Sequence, residues 1–359
     1  MNTSSLRRVA LPAAAVLSVG LTLTACGNKS GGSGGDTLTG GGSTAQAVAQ
    51  QTWRADYQKA HSGTTINYEE VGSGTGVTNF LSKAYSFGGS DAYLTSDQIT
   101  QAKQTCGADA IEVPAYVSPL AVIYNLKGVD SLNLSGETIA NIFNGTITKW
   151  NDPAIAKDNP GAKLPSTTIS TVHRSDDSGT TFNFTDYLSQ AGGGAWSSPP
   201  NVTWPSSAKG GQGADGTSGV VGVVTDTDGA IGYADDSAAG SLSVANIKVG
   251  SSYVGPSADG AAKTLELSSV IPGRPSSDMA INVNRTSTEK GTYPLLLVSY
   301  LMACPTYSDS KTADMVKGYL TYVVSSQGQQ AAAAAAKSAP LPASLTQKAT
   351  DLVSKISGS

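Results

Sequence analysis

The chain has 359 residues, 14% of them charged, and a formal net charge of −4. A mildly acidic chain lacks the basic field that nucleic acid requires, so nucleic acid is excluded as a partner and any anion must be held by local geometry. The two histidines and three cysteines lack ligand spacing, so no metal and no cofactor are expected.

In chain order, Arg7 and Arg8 precede an uncharged apolar run from Val9 to Leu23. Such a run is too short and too rich in small residues to span a membrane, and it reads as a signal peptide over 1–25. It ends in Leu23-Thr24-Ala25-Cys26. Small residues before a cysteine make a lipoprotein processing site, with Cys26 taking the lipid. The alternative is an ordinary signal peptide with an incidental cysteine. The Gly/Ser-rich residues after Cys26 give a flexible tether over 26–35. The protein is therefore expected outside the cytoplasm, held to the cell membrane by lipid. With Cys26 lipidated, Cys106 and Cys304 remain. Export favours a disulfide between them; two separate buried thiols are the alternative.

The remaining residues, roughly 330, suit one large domain or two medium ones. Gly40-Gly41-Gly42-Ser43-Thr44 follows a short strand and precedes a helix over Ala45 to Ala60. A strand is predicted over Thr64 to Tyr68, then a second Gly/Ser loop, Gly72-Ser73-Gly74-Thr75-Gly76, and a helix over Val77 to Tyr85. A third loop, Phe87-Gly88-Gly89-Ser90-Asp91, is followed by a strand over Ala121 to Tyr124 and a helix over Ser135 to Phe143. Another strand, Thr168 to Val172, leads into Arg174-Ser175-Asp176-Asp177-Ser178-Gly179-Thr180 and a helix over Thr181 to Leu188. The stretch Gly192 to Gly219 reads as loop, and Val220 to Val224 and Ala230 to Tyr233 as short apolar pieces. Helical periodicity is read over Pro294 to Met302, Ala313 to Ser325, Ala331 to Ala336 and Ala343 to Ile356. Alternating strands and helices give an α/β fold with mostly parallel sheets covered on both faces.

The Arg174 segment is the most informative. A helix N-terminus offers free N–H groups and a partial positive charge. Arginine adds a fixed fork of donors that suits a tetrahedral oxyanion. Glycine in the three earlier loops lets backbone N–H groups crowd an anion, and the Ser and Thr hydroxyls add donors. Asp91 carries the wrong sign for a plain anion site. Phosphate near neutral pH keeps a proton to donate to a carboxylate; sulfate does not, and would face Asp91 as one anion facing another.

Other motifs are set aside. Gly211-Gln212-Gly213-Ala214-Asp215-Gly216 matches a dinucleotide fingerprint but follows no apolar strand. Asp177-Ser178-Gly179 has no second copy, as a paired-carboxylate protease requires. His173 precedes a cation, and no nucleophile elbow occurs, so the chain is not expected to be an enzyme.

Five segments resemble one known family, the phosphate-binding lipoproteins that feed the high-affinity phosphate ABC transporter. They are Val71 to Gly76, Phe87 to Ala92, Ile142 to Pro153, Val172 to Phe182 and Gly229 to Tyr233. The resemblance implies a two-lobed, type II periplasmic-binding-protein fold closing over one phosphate. Lobe I would comprise 36–124 plus 285–359 and lobe II 125–284, joined by crossings near Tyr124-Asn125 and Ala280 to Arg285. It implies donors from Thr44, Ser73 and the backbone of Ala45, an acceptor in Asp91, and Arg174 oriented by Asp176. Ser178, Gly179 and Thr180 would complete the shell. Cys106 and Cys304 would share a lobe, which favours their pairing. The partners implied are inorganic phosphate and the permease subunits, with the protein a monomer. The family usually has an aromatic residue and a proline where Ala45 and Gln46 stand, an aspartate at Ser86 and a proline at Tyr93. The alternatives are a receptor or sensor for another oxyanion or a phosphate ester and, in another class, a phosphate-ester hydrolase.

Overall fold

The main strands and helices alternate from Asp36 to Asp235, and the chain closes with a run of three helices. The structure, a computed structural model, describes residues 36–359. The expected signal peptide, tether and lipidated Cys26 lie outside the described residues. In chain order come β1 (Asp36–Gly42), α1 (Ala47–Ala60), β2 (Thr64–Glu70), α2 (Ser73–Leu81), β3 (Phe87–Ser90), α3 (Ser96–Cys106) and the long β4 (Ile111–Asn125). They are followed by α4 (Gly136–Phe143), β5 (Ser170–Arg174), α5 (Gly179–Ala191), β6 (Gln212–Ala214), α6 (Gly216–Asp226), β7 (Ala230–Asp235) and β8 (Ser243–Val244). The chain closes with β9 (Leu296–Ala303), α7 (Ser310–Val324), α8 (Ser326–Ala336) and α9 (Ala343–Val353).

One nine-stranded sheet runs through the molecule in the order β2-β1-β3-β9-β4-β7-β5-β6, with β8 pairing β4. The α/β class holds, but the sheet is mixed. β1 is parallel to β2 and β3, and β5 is parallel to β6 and β7. β9 is antiparallel to both β3 and β4, and β4 is antiparallel to β7. β4 changes partner midway: Ile111 to Pro119 face β9, and Leu120 to Asn125 face β7.

Two elements differ from the sequence reading. The stretch Pro294 to Met302, read as a helix, contains all but the last residue of the central strand β9. Leu295 to Met302 is buried at every position. A short apolar run covered on both faces has no period, so its sequence cannot separate strand from helix. Val220 to Val224 lies in α6, and the loop-rich stretch before it holds β6 and the start of that helix.

The cores explain several motifs. Trp150 is fully buried beside Tyr124, and its indole N–H donates to the Gly229 carbonyl at 3.0 Å. Asp152 then caps a short helix that begins at Pro153, where a missing N–H costs nothing. The Ile142 to Pro153 segment is thus a packing device. The glycine loops converge because side chains would collide there. A Cβ at Gly76 would lie 2.4 Å from the Gly42 Cα, and Gly42 itself has φ +146°. Cys106 at the end of α3 is joined to Cys304 just past β9, with Cα atoms 5.2 Å apart. Among the described residues, no helix is long and apolar enough to cross a membrane.

Candidate functional site

Arg174 is the last residue of β5 and is almost wholly buried. Its Nε donates to Asp176 Oδ1 at 2.6 Å, and its Nη2 pairs with Asp176 Oδ2. Asp176 also accepts from the Gly216 N–H at 3.1 Å, at the start of α6. Burial acts to raise the Asp176 pKa, but its hydrogen bonds to Arg174, the charge of that guanidinium and the backbone N–H outweigh it and hold the carboxyl below its usual range. The guanidinium is therefore held in place with its fork oriented. Gly72 lies against this pair: a Cβ there would sit 2.6 Å from Asp176 Oδ2.

Asp91 follows β3 and is buried. Its Oδ1 accepts from Ser299 Oγ at 2.5 Å and its Oδ2 from Thr180 Oγ1 at 3.3 Å. Its N–H donates to Ser73 Oγ at 3.2 Å, and its carbonyl accepts from Asn183 Nδ2 at 2.7 Å. Burial pushes the Asp91 pKa up; the hydroxyls of Ser299, Ser43 and Thr180, and the Arg174 charge, pull it back.

The first turn of α5 lies against Asp91: a Cβ at Gly179 would be 2.7 Å from the Asp91 Cβ. Ser178 caps the helix by accepting from the Thr181 N–H at 3.2 Å. Gly179 lies so close to the α2 start that a Cβ would be 2.6 Å from Ser73 Oγ. Gly74 N–H donates to the Asp177 carbonyl at 2.9 Å. Ser73, Asp91, Arg174, Ser178, Gly179 and Thr180, with the half-buried Asp176, thus lie in one polar cluster at adjoining helix N-termini.

Thr44 and Ala45 are placed differently. The Thr44 hydroxyl is 2.8 Å from that of Thr217, and the Ala45 N–H donates to Ser43 Oγ at 3.1 Å. A cavity of about 430 Å³ opens beside them, lined also by Val48, Thr217, Val221 and Ser237. A larger cavity, about 580 Å³, lies away from Arg174 and Asp91, around Ser135, Lys157 and Lys248.

Ser43, Asn183, Arg285 and Ser299 were not among the site residues named from the sequence. Ser299 had one signal, a lone serine in the apolar run LLVSYLMA. Ser43 stood one residue before a named threonine. Asn183 links the Asp91 carbonyl to Arg285, whose Nη2 donates to Asn183 Oδ1 at 2.7 Å. Arg285 is buried, pairs with Asp186 at 2.8 Å, and donates to the Pro294 carbonyl at 3.1 Å. Tyr93, standing where a proline is usual, packs edge-on against Phe182 of α5, with Arg274 5.0 Å from its ring. The Ser86 carbonyl accepts from Tyr307 at 2.7 Å.

Residues 27–327 match the family model described as the PBP superfamily domain. The chain is 36% identical over 359 residues to phosphate-binding protein PstS2 of Mycobacterium bovis, covering 94% of this chain and 95% of that protein. It is 37% identical over 331 residues to phosphate-binding protein PstS 3 of Mycobacterium tuberculosis, covering 86% and 88%. A solved structure of the high-affinity periplasmic phosphate-binding protein PfluDING, bound with phosphate, superposes with a TM-score of 0.71 at 21% identity, covering 87% of this chain and 92% of that one; at that identity the likeness speaks for the fold. These matches place the chain in the PBP superfamily, in the family of the PstS phosphate-binding proteins.

Proposed function

We propose that the protein is an extracytoplasmic solute-binding protein that captures inorganic phosphate between two lobes and delivers it to the permease of an ABC transporter. One observation carries the reading: a buried, fixed guanidinium and a buried carboxylate face one cluster of helix N-termini. The cation and the N–H groups suit an oxyanion. The carboxylate suits one that still carries a proton. Ser73, Arg174, Ser178, Gly179 and Thr180 supply donors, with Thr44 and Ala45 at the edge, and Asp91 accepts. This is binding without covalent chemistry.

The change of partners along β4 supports one lobe crossing at Pro119–Leu120. Ala261 and Leu265 cluster with Val117, Val298 and Tyr300, which supports a second lobe ending nearer residue 254 than 284. The Leu23-Thr24-Ala25-Cys26 sequence supports a lipid anchor at Cys26.

Calorimetric titration of the chain with phosphate and with sulfate, after unfolding and refolding to strip bound ligand, tests the reading. One-to-one phosphate binding without a sulfate response is expected. Binding of neither anion overturns it. The cavity beside Thr44 and Ala45 favours one second reading, a phosphate monoester with its organic group in that space. Glycerol phosphate binding more tightly than phosphate in the same titration is its signature.

A further inference from the structure

A buried chain of hydrogen bonds runs from α7 to the carboxylate of Asp91. The Tyr319 hydroxyl donates to Gln50 Oε1 at 2.6 Å. Gln50 Nε2 donates to Gln46 Oε1 at 2.8 Å, and Gln46 Nε2 donates to Ser299 Oγ at 2.6 Å. Ser299 Oγ then donates to Asp91 Oδ1 at 2.5 Å. All five side chains are buried.

The chain has a fixed polarity. The end of the Gln46 amide that meets Ser299 also meets the Tyr300 carbonyl, at 3.4 Å. A carbonyl only accepts, so that end is the NH₂ group. Ser299 must then accept from Gln46, and its single proton has one direction left, toward Asp91. Local geometry presents the serine. The β4–β9 register shifts between Ser299 and Tyr300, and the bulge re-aims the side chains there.

Resting on the phosphate reading above, we propose that Ser299 and Gln46 determine the anion specificity of the site. They commit Asp91 Oδ1 to accepting, which favours the ionised carboxylate, and leave Oδ2, already approached by the Thr180 hydroxyl at 3.3 Å, to accept a hydrogen bond from the ligand's proton as well. A protonated oxyanion is then held and an unprotonated one repelled. Without the Ser299 donor, burial would draw a proton onto Asp91, and the resulting acid would donate to a bare oxyanion. The other groups facing Asp91 are Arg174 from β5, with Asp176 as its ion partner, and Tyr68 from β2, whose hydroxyl donates to the Ser43 carbonyl. The hydroxyls of Ser43 and Thr180 complete its surroundings. Ser299 and Gln46 act through Asp91 and are positioning residues.

The test is calorimetric titration of the full chain with phosphate and with sulfate from pH 5 to pH 8.5, for the wild type and for Ser299→Ala, Ser299→Thr and Gln46→Met. In Ser299→Ala the preference for phosphate over sulfate is expected to fall about tenfold or more, with sulfate binding growing as the pH drops. Ser299→Thr keeps the hydroxyl and is expected to restore the wild-type profile. Gln46→Met, which leaves the serine proton undirected, is expected to fall between them; it carries the test alone if Ser299→Ala does not fold. A preference that keeps its wild-type pH profile in the folded variants overturns the inference, even where phosphate binding is uniformly weaker. A wild-type chain that binds no phosphate at any pH overturns the functional reading and this inference with it.

Discussion

Arg174 and Asp176 work as a unit at the level of single side chains. The arginine is buried and its partner is held ionised, so removing the guanidinium strands a carboxylate as well as weakening the proposed anion site. Arg174→Ala is expected to cost about 2–5 kcal/mol of phosphate binding. Titration calorimetry checks it, and near-wild-type affinity would sink the site assignment. The place of Arg174 just before a helix start was legible in the sequence, because Ser178 and Gly179 mark that start locally. Ser299 and Asn183 were not. Each polar group meets Asp91 across the fold, and its local sequence shows only a serine in a strand or an asparagine in a helix.

At the scale of elements, the glycine loops and the helices behind them could be read because glycine, hydroxyl residues and caps act locally. β9 could not, since its burial on both faces is a property of its neighbours. The crosslink between the end of α3 and the residue after β9 spans 198 positions. Closing a loop of that size corresponds to about 5 kcal/mol in the chain-entropy model, an upper figure because unfolded chains retain structure. The Cys106→Ser, Cys304→Ser double variant is expected to lose about 2–5 kcal/mol of unfolding free energy. Urea titrations of the two proteins measure this. An unchanged midpoint would show that α3 is held by packing alone.

Across the whole molecule, buried acids set the pH response. Burial pushes Asp235 up to about 7 and Glu112 up to about 8, and it raises Asp91 as well. The folded state therefore keeps protons that the unfolded chain releases near pH 4, and stability falls as pH rises from about 4 to about 8. Asp176 and Asp158 are lowered and act oppositely, losing stability as the pH drops below about 4. Asp235 is bonded to Tyr116, which itself reaches the Ala336 carbonyl in α8. Asp235→Asn is expected to remove on the order of 3 kcal/mol of the decline between pH 4 and pH 7. Thermal unfolding across that range checks it, and an unaltered slope would mean that Asp235 is ionised in the fold. A different consequence follows from the place of β9 in the sheet. β3 and β4 are consecutive in the chain, yet β9 lies between them. Without the stretch from Leu296 to Ala303, β3 and β4 would each keep an unpaired edge. Ser299 and Cys304 arrive with that same late stretch. Completion of the sheet, closure of the crosslink and the Ser299 bond to Asp91 all depend on this one late stretch, so a chain that ends before Leu296 has none of the three.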